Sequence, residues 1–234
     1  MAVESSRPAR PRNPLSRERV LRAAVRVADE DGLQALTMRR LADELGAEAM
    51  SLYYHVAKKD DVLDGVVDMI AVEINEAVGR LTAPPGEGWK LTARRRILAA
   101  REVMLRHPWA PAVFETRTAV SPAVLRHYDG LLGLMLAGGF SYDLAHHSLH
   151  ALGSRALGFT QELFTPASGA GPADPAAAAE LAAQFPNLTG MLADISHDDP
   201  DSTLGWCDDQ SEFEFALDLI LDGLDRRAAA RWGR

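Results

Sequence analysis

The sequence predicts an all-α chain in which a small N-terminal three-helix domain precedes a larger helical body. Three observations predict it. Apolar residues recur at the helical period through most of the 234 residues, and strand-like alternation never persists. The stretch from Leu36 to Lys59 reads as two short helical patterns joined by a turn at Gly46. Such a pair is a helix-turn-helix, whose second helix is held so that its exposed side chains enter the major groove of a duplex. A plain helical hairpin with surface tyrosines has the same spacing, so the pattern alone leaves both readings open.

Each element has its own signal. Residues 1–14, with Pro8, Pro11 and Pro14, are expected to be a disordered basic arm. Ser16 caps a first helix to Asp31, with Val20, Ala23, Ala24, Val27 and Ala28 as its apolar stripe and Gly32 as its stop. Thr37 caps a second, in which Leu41, Ala42 and Leu45 share one face. Gly46 suits the left-handed residue that ends a helix, and the chain restarts near Ala47 to Ala49. Leu52 and Val56 then pack inward, leaving Met50, Ser51, Tyr53, His55 and Lys59 for solvent or phosphate. Residues 15–60 form this domain.

A linking helix over residues 61–80 begins near Asp60, where two acids favour a helix N-terminus, and carries Val62, Leu63, Val66, Val67, Ile70 and Ile74 inward. Pro84, Pro85, Gly86 and Gly88 break the chain before the body, residues 81–228. There the helical period runs through Trp89–His107, Ala110–Arg117, Pro122–Ala137 capped by Ser121, and Tyr142–Phe164 capped by Ser141. Residues 165–210 read as mostly irregular, with a short helix at Ala176–Phe185. Ser211 and Glu214 make a capping box for a last helix on which Asp218, Asp222 and Asp225 are the polar line. A helix that apolar must be covered on more than one side, by a second copy of the chain or by its own body.

Charge is segregated. Residues 1–26 hold seven arginines against Glu4 and Glu18, a net +5, so the rest carries −13 of the total −8. A basic end on an acidic body fits a nucleic-acid-binding module joined to something else. The single Cys207 excludes a disulfide framework within the chain and a cysteine-rich zinc site. No signal peptide or membrane span is expected, so the reading is a soluble cytoplasmic protein.

The series Ala-Leu-Thr-Met-Arg-Arg-Leu-Ala at 35–42, Leu-Gly at 45–46, Ser-Leu-Tyr-Tyr-His-Val at 51–56 and Lys-Lys-Asp at 58–60 resembles the TetR family of bacterial transcriptional regulators. The resemblance is strongest from Arg17 to Asp68. Trp89, Thr116-Arg117 and Gly139-Phe140-Ser141 carry a weaker likeness to the C-terminal domain of the tetracycline repressor branch. It implies a DNA-binding domain plus a C-terminal helical ligand-binding and dimerisation domain, working as a homodimer on a double-stranded operator. Arg39 corresponds to a position that reads a base edge, as arginine reads guanine. Ala49 and Met50 differ from the tetracycline repressor, which implies another operator, with Met50 suited to a thymine methyl. Ser51, Tyr53, His55 and Lys59 match phosphate-holding positions, and Tyr54 is expected to pack.

The same resemblance places a small-molecule inducer among Asn75, Arg96, Met104, Thr116, Arg117, Leu131, Met135, His147, His150 and Ser154, any of which fits core packing equally. Val113 and Ser154 stand where tetracycline-binding members use histidines around drug-bound magnesium, so another, mostly apolar ligand is implied, near Trp109, Phe114 and Phe159. Phe213, Leu217, Ile220, Leu221 and Leu224 are the expected dimerisation residues. His146, His147 and His150 leave three readings open: a metal site, a polar cavity wall, or plain surface. No cofactor or metal is expected, and no catalytic residue is assigned. An enzyme fused to a DNA-binding domain, using those histidines with Glu162 or Asp143, lacks a nucleophile elbow, a phosphate-cradling loop and a redox cysteine pair. A constitutive DNA-binding dimer without ligand is the other alternative.

Overall fold

The computed structural model describes residues 14–117, 121–158, 175–187, 189–190 and 209–230, and all regular structure among them is helical. Helix α1 (Arg17–Asp31) starts at Ser16, whose Oγ accepts from the Arg19 amide at 3.2 Å. A 3₁₀ turn (Leu33–Ala35) leads to α2 (Met38–Leu45), capped by Thr37 through its Oγ1 on the Arg40 amide at 3.1 Å. Gly46 stops α2 at φ 60°, ψ 39°, and its amide returns to the Ala42 and Asp43 carbonyls. Helix α3 (Ala49–Leu52) is a single turn, shorter than the spacing implied; Tyr53 to His55 follow as turns, with His55 and Val56 both donating to the Leu52 carbonyl. Helix α4 (Lys59–Gly79) starts one residue before Asp60, and Asp61 accepts from the Ala57 amide ahead of it.

The body continues with α5 (Trp89–Arg106), α6 (Ala110–Thr116), α7 (Pro122–Ala137), α8 (Tyr142–Gly158), α9 (Pro175–Gln184) and α10 (Asp209–Ala229). Ser121 and Ser141 cap α7 and α8 through the Val124 and Leu144 amides, as expected. The capping box at Ser211 is a correction: α10 begins at Asp209, so Ser211 lies inside its first turn, where Gln210 donates to Glu214 at 2.6 Å across i,i+4. The arm 1–13, the segments 159–174 and 191–208, Phe159, Glu162 and Cys207 lie outside the described residues.

The chain divides into two compact units, one comprising residues to Pro85 with Arg95–Leu131, the other Gly86–Arg94 with Leu132 onward. In the first, α1 packs on α2 and α4, and α4 on α6. Val20, Val27, Leu36, Leu41, Leu52, Val56, Val62, Val66 and Ile70 seal its core. Gly65 makes the α1–α4 contact possible, since a Cβ there would stand 2.5 Å from the Leu21 side chain. In the second, α8 packs on α10. Among the described residues no helix is long and apolar enough to cross a membrane.

Candidate functional site

The helix-turn-helix presents a short exposed edge. Met50 is 71% exposed, Tyr53 and Lys59 are exposed, and Ser51, His55 and Ala49 are half-buried beside the sealed Leu52 and Val56. Tyr54, expected to pack, is 89% exposed. The correction has a simple cause: α3 ends at Leu52, so Tyr54 sits on a turn whose inward positions Leu52 and Val56 already fill.

Adjacent arginines on α2 do different work because a helix turns about 100° per residue. Arg40 is committed, bonding Asp31 at 3.0 Å and Glu44 at 3.0 Å. Its hydrogen bond holds the Glu44 carboxyl below its ordinary range, with Arg26 adding to the effect. Arg39 is exposed and has no partner among the described residues. Lys59 is likewise unpaired there, while Lys58 lies 3.9 Å from Asp60. Arg39 and Lys59 are thus exposed cations with no carboxylate partner among the described residues.

Behind the edge, polar joints tie α1 and α4 to the helices that follow. His107, 7% exposed between α5 and α6, sets Nδ1 2.7 Å from Asp29 of α1 and Nε2 3.2 Å from Glu73 of α4. The Trp109 indole donates to the same Asp29 oxygen at 2.7 Å, and Arg106 pairs with Glu73. Burial works against the Glu73 charge, yet the hydrogen bonds from Arg106 and His107 hold its carboxyl below the ordinary 4.5. At the end of α6, Arg117 reaches Asp60 at 3.2 Å and Asp64 at 3.5 Å, in the first turns of α4. The sequence reading missed Asp29, Glu73 and His107, because residues 34 to 78 positions apart carry no local signal that they meet.

With this geometry in view, residues 20–66 match the bacterial regulatory proteins of the tetR family, and residues 82–228 match the tetracyclin repressor-like C-terminal domain. The chain belongs to the TetR family. An HTH-type transcriptional regulator of Saccharopolyspora erythraea is 38% identical over 126 residues, 54% of this chain and 51% of that relative, so the chain spans about half the length of that protein. The HTH-type transcriptional repressor DrrR1 of Streptomyces coeruleorubidus is 29% identical over 97% of this chain and 84% of its own. The crystal structure of the Streptomyces coelicolor TetR family protein ActR in complex with actinorhodin is 26% identical, with a TM-score of 0.70 over 92% of this chain and 99% of that one. As a TetR-family member the chain is a DNA-binding transcription regulator and not an enzyme.

In this TetR-family chain the ten residues expected around a ligand do not share one environment. Asn75 and Arg96 are half-buried and hold backbone carbonyls of α7, Ala123 and Gly130, each at 2.8 Å. Met104 is half-buried, while Leu131 and Met135 are core. Thr116 is exposed and donates to the Val113 carbonyl, and Arg117 pairs with Asp60 of α4. His147 and His150 lie on the outer side of α8. They are exposed with His146, because α8 turns Leu144, Ala145, Ser148 and Leu152 inward. The Ser154 side chain lies outside the described residues. Trp109, expected near the ligand, is buried against Asp29 instead.

Of the five expected dimerisation residues, Ile220 is half-buried and the other four turn inward. Phe213, Leu217, Leu221 and Leu224 recur at i+4, i+8 and i+11 and are buried within the protomer. The apolar residues of α10 that stay uncovered are Phe215 and Leu219, at 64% and 58%. Leu219 and Ile220 border a groove of about 410 Å³ with Leu144, His147 and Ala151 of α8. The polar line of α10 is spent on α5: Arg94 bonds Asp218 and Glu214 at 2.7 and 2.6 Å, Lys90 pairs with Asp222, and the Trp89 indole donates to Asp225 at 2.8 Å.

Proposed function

We propose that the chain is a dimeric repressor released from a palindromic operator by a small, mostly apolar molecule. The observation that carries this reading is the split between Arg40, which is consumed by Asp31 and Glu44, and Arg39, which is exposed and unpaired one position away. An arginine kept free at the mouth of a helix-turn-helix has the five donors that fit the O6 and N7 acceptors of guanine. Ala49 and Met50 set the neighbouring base contacts, while Ser51, Tyr53, His55 and Lys59 grip phosphates and fix the register.

Two copies join through the α8–α10 face, where Leu219 and Phe215 are uncovered, and set their recognition edges about 34 Å apart. The inducer enters the helical body and acts on α4. Arg117, bonded to Asp60 and Asp64, is the joint by which a shift of α6 reaches the base of the DNA-binding domain. Release then depends on the molecule preferring the conformation that cannot dock. The ActR structure with actinorhodin, similar over nine-tenths of this chain, supports a small molecule as the effector.

The test is selection of DNA from a randomised duplex pool by the full-length protein. An enriched inverted repeat, lost with Arg39→Ala, is the expected result. Uniform retention of all sequences, or none, would overturn the reading.

A further inference from the structure

Helix α7 carries Ala123, His127 and Gly130 at i, i+4 and i+7, on one face. Two other helices hold the backbone of that face. Asn75 of α4 donates to the Ala123 carbonyl and Arg96 of α5 to the Gly130 carbonyl, both at 2.8 Å. A Cβ at position 130 would stand 3.0 Å from Arg96 Nη2, so that the guanidinium would have to give by a few tenths of an ångström. Between the two fixed points sits His127. It is half-buried, its ring stacks edge-on with Tyr128 at 5.9 Å, and it makes no hydrogen bond among the described residues.

Arg96 differs from four other described arginines. Arg40, Arg94, Arg106 and Arg117 each pair with one or more carboxylates, whereas Arg96 bonds only a carbonyl and meets no carboxylate among the described residues. A half-buried cation costs free energy unless it is compensated, and one carbonyl leaves most of its five donors unused. Burial, then the Arg96 charge, push the His127 pKa below 6.5, so the neighbouring ring is neutral at physiological pH. The half-buried guanidinium thus faces this helix with N–H donors to spare and no acid among its described partners. Along α5, Ala100 and Met104 follow Arg96 at four-residue spacing and are half-buried apolar surface.

We propose that Arg96 and His127 bind the acidic group of the effector, an organic monoanion whose apolar body lies along Ala100 and Met104. This rests on the reading of the chain as a ligand-responsive regulator, and narrows the ligand class from mostly apolar to apolar with one carboxylate or equivalent anion. The guanidinium takes the anion through its free N–H groups, and the His127 ring donates to it. The anion cancels the Arg96 repulsion, so His127 takes up a proton as the ligand binds.

Two fluorescent probes sharing one body test this on the full-length protein: 8-anilinonaphthalene-1-sulfonate, an anion, and N-phenyl-1-naphthylamine, which lacks the sulfonate. The anion is expected to bind tighter by about tenfold or more, the worth of a charge-assisted hydrogen bond. Arg96→Met removes that preference while leaving the neutral probe within about twofold, which also shows that the variant is folded. Binding of the anion strengthens as pH falls from about 8 to about 6, and His127→Gln abolishes that slope. Loss of both probes alike in Arg96→Met overturns the proposal, as does a preference removed by Arg227→Met in the α8–α10 groove instead. The neutral probe binding with no advantage for the anion sinks the receptor and leaves the ligand-responsive reading standing. Neither probe binding sinks both.

Discussion

Arg39 and Lys59 differ in what they are asked to do, and their variants separate the two roles. Arg39→Ala is expected to narrow the gap between the selected operator and a scrambled duplex by about 1–3 kcal/mol, the worth of one bidentate base contact. Lys59→Ala should weaken both duplexes alike and flatten the salt dependence by about one unit of log–log slope. Titrations at two salt concentrations measure both. A second residue-scale expectation follows from His127. Because burial and Arg96 depress its pKa in the folded chain, the unfolded chain binds more protons below pH 6.5, so stability is full above that value and falls as pH drops through it. Thermal melts of the ligand-free protein should show this loss in the wild type and less of it in His127→Gln; an equal loss in both would contradict the placement of this ring. That Arg39, Met50 and Lys59 face outward was legible in the sequence because helical period acts locally. Tyr54 was misjudged because one turn of helix, not two, separates Gly46 from the turn at 53–55, and a shift of that size exchanges inward for outward positions.

At the scale of elements, the caps were the most legible feature. Ser16, Thr37, Ser121 and Ser141 all accept from the amide three residues on, and Gly46 adopts the left-handed backbone that its position required. Thr37→Ala should therefore cost about 0.5–2 kcal/mol, and Leu52→Ala, which empties a fully buried site under the recognition turn, about 2–5 kcal/mol by chemical denaturation. A cost near zero for Leu52→Ala would mean that the turn is not seated on this core. Which face of α10 turns inward was not legible, because apolar residues occupy most of its circumference. The structure resolves it: Phe213, Leu217 and Leu221 go inward, Leu219 outward. Leu219→Asp is accordingly expected to yield a folded monomer, whereas Leu217→Asp should unfold the helical body. Sedimentation and circular dichroism distinguish the two outcomes.

For the whole molecule, the sequence pointed to two ends of opposite charge, and the structure adds polar ties, all within the first compact unit, between α1 and α4 and the segment from α5 to α6. Asp29 and Glu73 with the buried His107 and Trp109 form one joint, Arg117 with Asp60 and Asp64 another, and both connect helices far apart in the chain. Such joints were invisible beforehand because nothing in local composition distinguishes a carboxylate that will meet a distant histidine from one that faces water. We propose that two protomers read one palindrome together. The direct measurement is the stoichiometry and footprint of the full-length protein on a duplex bearing the selected inverted repeat. Two protomers per duplex, protecting two half-sites about 34–36 Å apart, is the predicted result. One protomer per duplex, or equal affinity for a scrambled repeat, would contradict it.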